Sequence, residues 1–153
     1  MSGAPGSGKS TMAKMLGCSI DGVVIDHDVI RSSLLKANTP FDQAAAQAYQ
    51  LQWTLAQDIM KQGHSIIIDS TCNFQEVLDQ GTALAKQHGF TYCQRTGVDC
   101  PPAATHGARA GQDSRALFQK WIDHPCRPHD NAVVVDSTRN LETLRDDVLK
   151  QIM

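Results

Sequence analysis

No stretch of this 153-residue chain approaches the roughly 18 consecutive apolar residues that a bilayer-crossing helix requires. A charged n-region followed by an apolar core is also missing, so the sequence predicts no secretory signal, no membrane attachment and a cytoplasmic location. Charge of one sign is scarce too: 14 Lys and Arg face 16 Asp and Glu, for a net charge of −2. Polynucleotide binding depends on neutralising phosphates, and an acidic balance argues against it. The five cysteines (Cys18, Cys72, Cys93, Cys100, Cys126) are odd in number and scattered, with no C-x-x-C pair. That pattern suits reduced thiols better than a zinc site or a disulfide framework. Six histidines contain no H-E-x-x-H and no tight cluster with cysteine. Internal repeats and low-complexity tracts are absent, and the length suits one domain over residues 1–153.

Short apolar runs alternate with longer helix-like stretches, which is the signature of an α/β protein with a parallel sheet. Strands are predicted at Val23–Ile25, Ser65–Ile68, Thr91–Val98 and Ala132–Val135. Continuous apolar runs of this kind suit strands covered on both faces. Helices are predicted at Lys9–Leu16, Val29–Lys36, Phe41–Gln62 with Asp42 as a cap, from Asn73 to about His88, and at Leu141–Ile152 behind Asn140. Tyr49 and Trp53 stand four apart on the long helix, a spacing that usually means packing. Residues 101–130 hold Pro101-Pro102, Arg109, Arg115 and the stretch HPCRPHD, and they read as a lid-like insert.

Gly3-Ala4-Pro5-Gly6-Ser7-Gly8-Lys9-Ser10 fits G-x-x-x-x-G-K-[ST] at every fixed position, and Thr11 follows. Glycines let backbone N–H groups curl around phosphate oxygens where side chains would collide. Lys9 offers a positive charge to the β and γ phosphates, and the Ser10 hydroxyl can ligate Mg²⁺. The helix that follows points its positive end at the anion. A nucleotide with Mg²⁺ is therefore the expected ligand of this loop. Only Met1 and Ser2 precede this loop, although such a loop normally hangs from a buried strand. The expectation is that the first strand is largely missing from the chain. Extra residues upstream, a shortened protein and a segment of a second chain are the alternatives; the last makes a homodimer an expectation.

Two acidic strand ends follow. After Val23-Val24-Ile25 come Asp26-His27-Asp28-Val29-Ile30-Arg31. Residues at the carboxyl ends of parallel strands face the ligand crevice. Alternation along an extended chain puts Asp26 and Asp28 on one side. Asp26 is then a candidate for a Mg²⁺-bound water, and Asp28 for the base that accepts a hydroxyl proton, with a helix cap as its other reading. Arg31 is a candidate clamp for an anionic group of the substrate. In Ile66-Ile67-Ile68-Asp69-Ser70-Thr71-Cys72-Asn73, Asp69 is a second metal-side carboxylate, and Thr71 and Asn73 are candidate pocket residues. No Glu follows Asp69, so the water-activating carboxylate of a motor ATPase is missing, and no N-K-x-D base-reading motif of a GTPase appears.

Phosphate loop, D-x-D-x-x-R and IIIDSTCN together resemble small P-loop kinases. The likeness is to the zeta-toxin, polynucleotide-kinase and gluconate/shikimate-kinase neighbourhood, especially the stand-alone AAA-domain ATP-binding kinases. It implies a three-layer P-loop NTPase fold, with strand order 2-3-1-4-5 and helices on both faces of the sheet. It also implies an ATP·Mg²⁺ donor and a hydroxyl acceptor. Lys9 and Ser10 would serve phosphate and metal, Asp28 would be the base and Arg31 would meet the substrate. Arg109 and Arg115 would be the lid arginines. The expected function is transfer of the γ-phosphoryl group to a small-molecule hydroxyl. The alternatives are a non-catalytic nucleotide-binding descendant of a kinase and, against the charge balance, a nucleic-acid 5′-hydroxyl kinase.

Overall fold

Every β-branched run predicted as a strand contributes one in the computed structural model, which describes residues 8–70, 75–98, 132–136 and 140–152. The elements in chain order are α1 (Lys9–Ile20), β1 (Val23–Asp26), α2 (His27–Lys36), α3 (Phe41–Lys61), β2 (Ile66–Asp69), α4 (Gln75–His88), β3 (Gln94–Val98), β4 (Ala132–Asp136) and α5 (Leu141–Ile152). Parallel strands need long crossovers, and helices supply them here. β1 pairs with β2 in the register Val23↔Ile66 to Asp26↔Asp69, and β3 pairs with β4. No pairing among the described residues joins one pair to the other.

Helices cover the sheet from two sides. Met12 and Leu16 of α1 pack with Leu144 and Val148 of α5, and Ile67 of β2 lies against that cluster. On α4, Val77 and Leu78 pack with Tyr49 and Trp53 of α3, as the spacing of those two rings predicts. Between the layers lies a largely apolar cavity of about 510 Å³, bordered by Leu16, Trp53, Ile67, Leu78, Tyr92 and Val148. None of the described candidate site residues borders it.

Local signals set most boundaries. Asn140 Oδ1 accepts a hydrogen bond from the Glu142 N–H at 2.8 Å, so α5 is capped as expected. α3 starts differently: Pro40 occupies its N-cap without a side-chain cap, and Asp42 falls within the first turn. Asp42 is thus not the cap; its carboxylate there still favours the positive end of the helix. α1 runs one turn longer than expected and ends at Asp21, whose N–H bonds to the Gly17 carbonyl. A Cβ on Gly17 would stand 2.8 Å from Val24 Cγ2 and 3.1 Å from the Gly22 carbonyl oxygen. Gly17→Ala should therefore cost roughly 1–2 kcal/mol net, because overpacking outweighs the gain of up to about 1 kcal/mol in helix propensity. Urea unfolding of the two proteins checks this, and a more stable variant would disprove the close α1–β1 contact.

Candidate active site

The carboxyl ends of β1 and β2 bring two carboxylates together. Asp26 and Asp69 are direct partners in the parallel register, so their side chains leave the same face of the sheet. Asp69 is buried and Asp26 half-buried. Asp26 Oδ1 accepts from the Asp28 N–H at 2.9 Å and the Val29 N–H at 3.3 Å. Asp26, not Asp28, is thus the N-cap of α2. This corrects the alternation argument, which places Asp26 and Asp28 on one side of an extended chain. The extended backbone stops at Asp26 because its side chain satisfies two amides of the next turn, and α2 begins at His27, earlier than predicted. Asp28 is exposed in the first turn of α2.

At the head of α1, Gly8 is the N-cap with φ 77° and ψ 13°, a left-handed conformation that glycine adopts without strain. Space is open where its Cβ would be. α1 has no side-chain cap and no acidic residue in its first turn, so no side chain of that turn neutralises its positive end. Lys9 is half-buried there, while Ser10 and Thr11 are exposed. A helix N-terminus that opens on a left-handed glycine without a side-chain cap, with Lys9 in its first turn, is a geometry that suits an anion. Among the described residues no group of three or more His, Cys, Asp or Glu could hold a metal ion alone. The donor set of Ser10, Asp26 and Asp69 suits Mg²⁺, which is commonly held by one or two carboxylates together with substrate phosphates.

α2 and α3 meet along a seam beside these strand ends. His27 is 6% exposed, and its ring centroid lies 4.1 Å from that of Tyr49 with the planes inclined at 35°. The Arg31 guanidinium carbon stands 4.9 Å from the centroid of the Phe41 ring, a cation–π contact. Gln52 is wholly buried. It had no place among the predicted site residues, yet a signal existed. Ala44, Ala48, Gln52, Ala56 and Met60 form a buried stripe at four-residue spacing in which Gln52 is the polar member.

Burial lowers the His27 pKa from its ordinary 6.5, against the opposing pull of the Asp28 carboxylate and the nearby Gln52 amide. A histidine held neutral by the fold binds more protons when unfolded. Its contribution to stability is therefore complete above about 6.5 and is lost as pH falls towards the folded value. Wild type should lose stability on mild acidification more steeply than His27→Gln in urea unfolding. Parallel curves would show that His27 does not carry this dependence.

Gly3, Ala4, Pro5, Gly6, Ser7, Thr71, Asn73, Arg109 and Arg115 lie outside the described residues. The described candidates are Gly8, Lys9, Ser10, Thr11, Asp26, Asp28, Arg31 and Asp69. They occupy the start of α1, the ends of β1 and β2, and the first two turns of α2. α1 packs on both β1 and β2, which brings its layer against the two strands that carry the carboxylates.

A family model described as an AAA domain matches residues 1–116. No curated protein matches the chain in sequence. Solved structures do match it in fold. A candidate kinase from Chloroflexus aurantiacus superposes with a TM-score of 0.71 at 15% identity, covering 99% of this chain and 96% of its own. The Mycobacterium tuberculosis APS kinase in complex with AMPPNP and APS gives 0.64 at 18% identity, with 98% and 93% covered. A gluconokinase from Sinorhizobium meliloti gives 0.61 at 14% identity, with 99% and 88% covered. At these identities the likeness establishes the P-loop kinase fold, an α/β architecture with parallel strands between helices.

Proposed function

The chain belongs to the AAA-domain family whose model spans residues 1–116, and from that premise we propose that it transfers the γ-phosphoryl group of ATP to a hydroxyl of a small-molecule acceptor. The observation that carries this reading is the start of α1: a left-handed Gly8, an uncapped first turn, and Lys9 with Ser10 in it. The match to an APS kinase that holds AMPPNP supports a nucleotide triphosphate as donor. Kinases of small acceptors on the same fold support the rest.

In this reading the amides after Gly8 and the Lys9 ammonium hold the β and γ phosphates and balance charge as it develops. Ser10, Asp26 and Asp69 would hold Mg²⁺, which supplies neutralisation of phosphate charge when bound. The acceptor oxygen attacks the γ-phosphorus while the bond from that phosphorus to the ADP oxygen breaks. Asp28 takes the hydroxyl proton, and its exposure in the first turn of α2 leaves it open to an acceptor. Arg31 meets an anionic group of the acceptor. On sequence grounds Thr71 and Asn73 are assigned to the acceptor, and Arg109 and Arg115 to the transferred group. In the same reading residues 1–153 act as one domain in the cytoplasm, with 101–130 assigned on sequence grounds as a lid-like insert. Homodimer formation is a separate expectation for sedimentation to test.

The experiment is to incubate the protein with ATP, magnesium and a panel of hydroxyl compounds while ADP is monitored. ADP formation that depends on one acceptor supports the reading. Tight nucleotide binding without turnover for any acceptor would instead identify a nucleotide-binding protein derived from a kinase. Lys9→Met should weaken ATP binding by roughly 10- to 100-fold, as loss of a hydrogen-bonded charge predicts. Calorimetric titration measures this directly, and unchanged affinity would remove Lys9 from the site.

A further inference from the structure

Six buried side-chain polar atoms among the described residues have no hydrogen-bond partner, and four of them lie on the α2–α3 seam. They are His27 Nδ1, Arg31 Nε, and both Nε2 and Oε1 of Gln52. Folded proteins leave few such groups unpaired. Gln52 is the sharpest case, since it is 0% exposed with both ends of its amide free of partners. It occupies the centre of an alanine stripe, where an apolar residue of the same size would pack at no cost in polar burial. The amide lies beside the His27 ring, yet neither of its polar atoms forms a hydrogen bond of acceptable geometry with it. The seam begins at His27, directly after the strand-end Asp26 and directly before Asp28.

We infer that His27, Gln52 and Arg31 determine acceptor specificity, and that the acceptor they read is a small aliphatic anion carrying several hydroxyls. The inference rests on the kinase reading above and adds the substrate class. An amide offers one donor side and one acceptor side, and a neutral imidazole nitrogen adds a third group. A hydroxyl both donates and accepts on one oxygen, so adjacent hydroxyls complete such a set. The Arg31 guanidinium adds a fixed cation for a carboxylate, sulfate or phosphate. A nucleoside is a poorer fit. The rings of His27 and Tyr49 lie 4.1 Å apart with their planes tilted by 35°, so each already has the other as a ring partner rather than a base. Because these atoms are shut from solvent, acceptor hydroxyls reach them only when α2 parts slightly from α3. Groups left unpaired in the closed seam gain partners on opening, which lowers the cost of that movement.

The test uses gluconate, glycerate and galacturonate as probes, against their neutral counterparts sorbitol, glycerol and galactose, and adenosine. Binding is measured by calorimetry with ATP and magnesium present, and turnover by ADP release. At least one acid should bind, while its neutral counterpart binds roughly tenfold or more weakly. Gln52→Leu should weaken binding of that acid by roughly tenfold with ATP affinity unchanged and thermal stability equal or higher. Gln52→Met replaces it if the leucine variant does not fold. The inference is overturned if none of the acids binds, if a neutral compound or adenosine is preferred, or if the Gln52 variant binds the acid as wild type does. Failure of the kinase reading looks different. An acid that binds wild type but not the variant, without ADP release from any acceptor, would leave the recognition set standing and remove the transfer.

Discussion

Asp28→Asn should lower acceptor-dependent ADP formation by roughly 10²- to 10⁴-fold, the usual worth of a positioned general base. Nucleotide affinity should stay as in wild type, because Asp28 belongs to α2 while Lys9 and Ser10, the residues proposed to meet the phosphates, belong to α1. The substitution separates two readings of this residue. Had Asp28 been the helix cap, losing its carboxylate would cost stability; but the cap is Asp26, whose Oδ1 accepts from the Asp28 N–H at 2.9 Å. Asn keeps the shape and the backbone N–H of Asp28, so α2 and its cap should persist and Tm should barely move. What disappears is a carboxylate able to take a proton from the attacking hydroxyl. Steady-state kinetics and thermal melting of one preparation therefore suffice. A variant that turns over at the wild-type rate would move the base elsewhere, and a variant that melts early would return Asp28 to a structural role.

Leu144→Ala should remove roughly 2–5 kcal/mol of stability, the range for deleting a fully buried leucine side chain and leaving a cavity. Total stabilities of domains are only about 5–15 kcal/mol, so this one change takes a large share. Leu144 is 1% exposed and packs against Met12, Leu16 and Val148. Those contacts tie α5 to α1, the helix whose first turn carries Lys9 and Ser10. For a chain of this length the loss corresponds to a fall in Tm of roughly 5–15 °C. Saturating ATP should recover part of the loss, because ligand that binds only the folded state raises stability by mass action. A variant that melts with wild type would show that the α1–α5 cluster does not hold the helix. A variant that melts early but gains nothing from ATP would show that the phosphate loop is lost before the fold is.

The unpartnered seam and the capped strand end teach the same lesson about which interactions can be anticipated. Two carboxylates after Ile25 were evident along the chain, but which of them would start the helix was not. That choice hung on whether the Asp26 side chain turned back onto two amides, and the turn ended the alternation on which the side-by-side placement of Asp26 and Asp28 relied. The companion of Asp26 proved to be Asp69, 43 residues away in sequence and adjacent only through the β1–β2 register.

Much of this protein was open to reading in one dimension because the forces concerned act within a few residues. Runs such as Val23–Ile25 and Ile66–Ile68 become strands through side-chain branching and burial, and Asn140 caps α5 within two residues. The glycines before Lys9 mark a candidate anion site in the sequence, and Gly8 takes up the left-handed conformation that glycine allows. Which polar groups meet across helices is another matter. His27 against Tyr49, Arg31 over Phe41, and Gln52 buried without a partner arise from two helices folding back on each other. Contacts of that kind are set by how whole elements pack. Packing is decided by the total apolar area hidden, not by the identity of any single polar residue left inside.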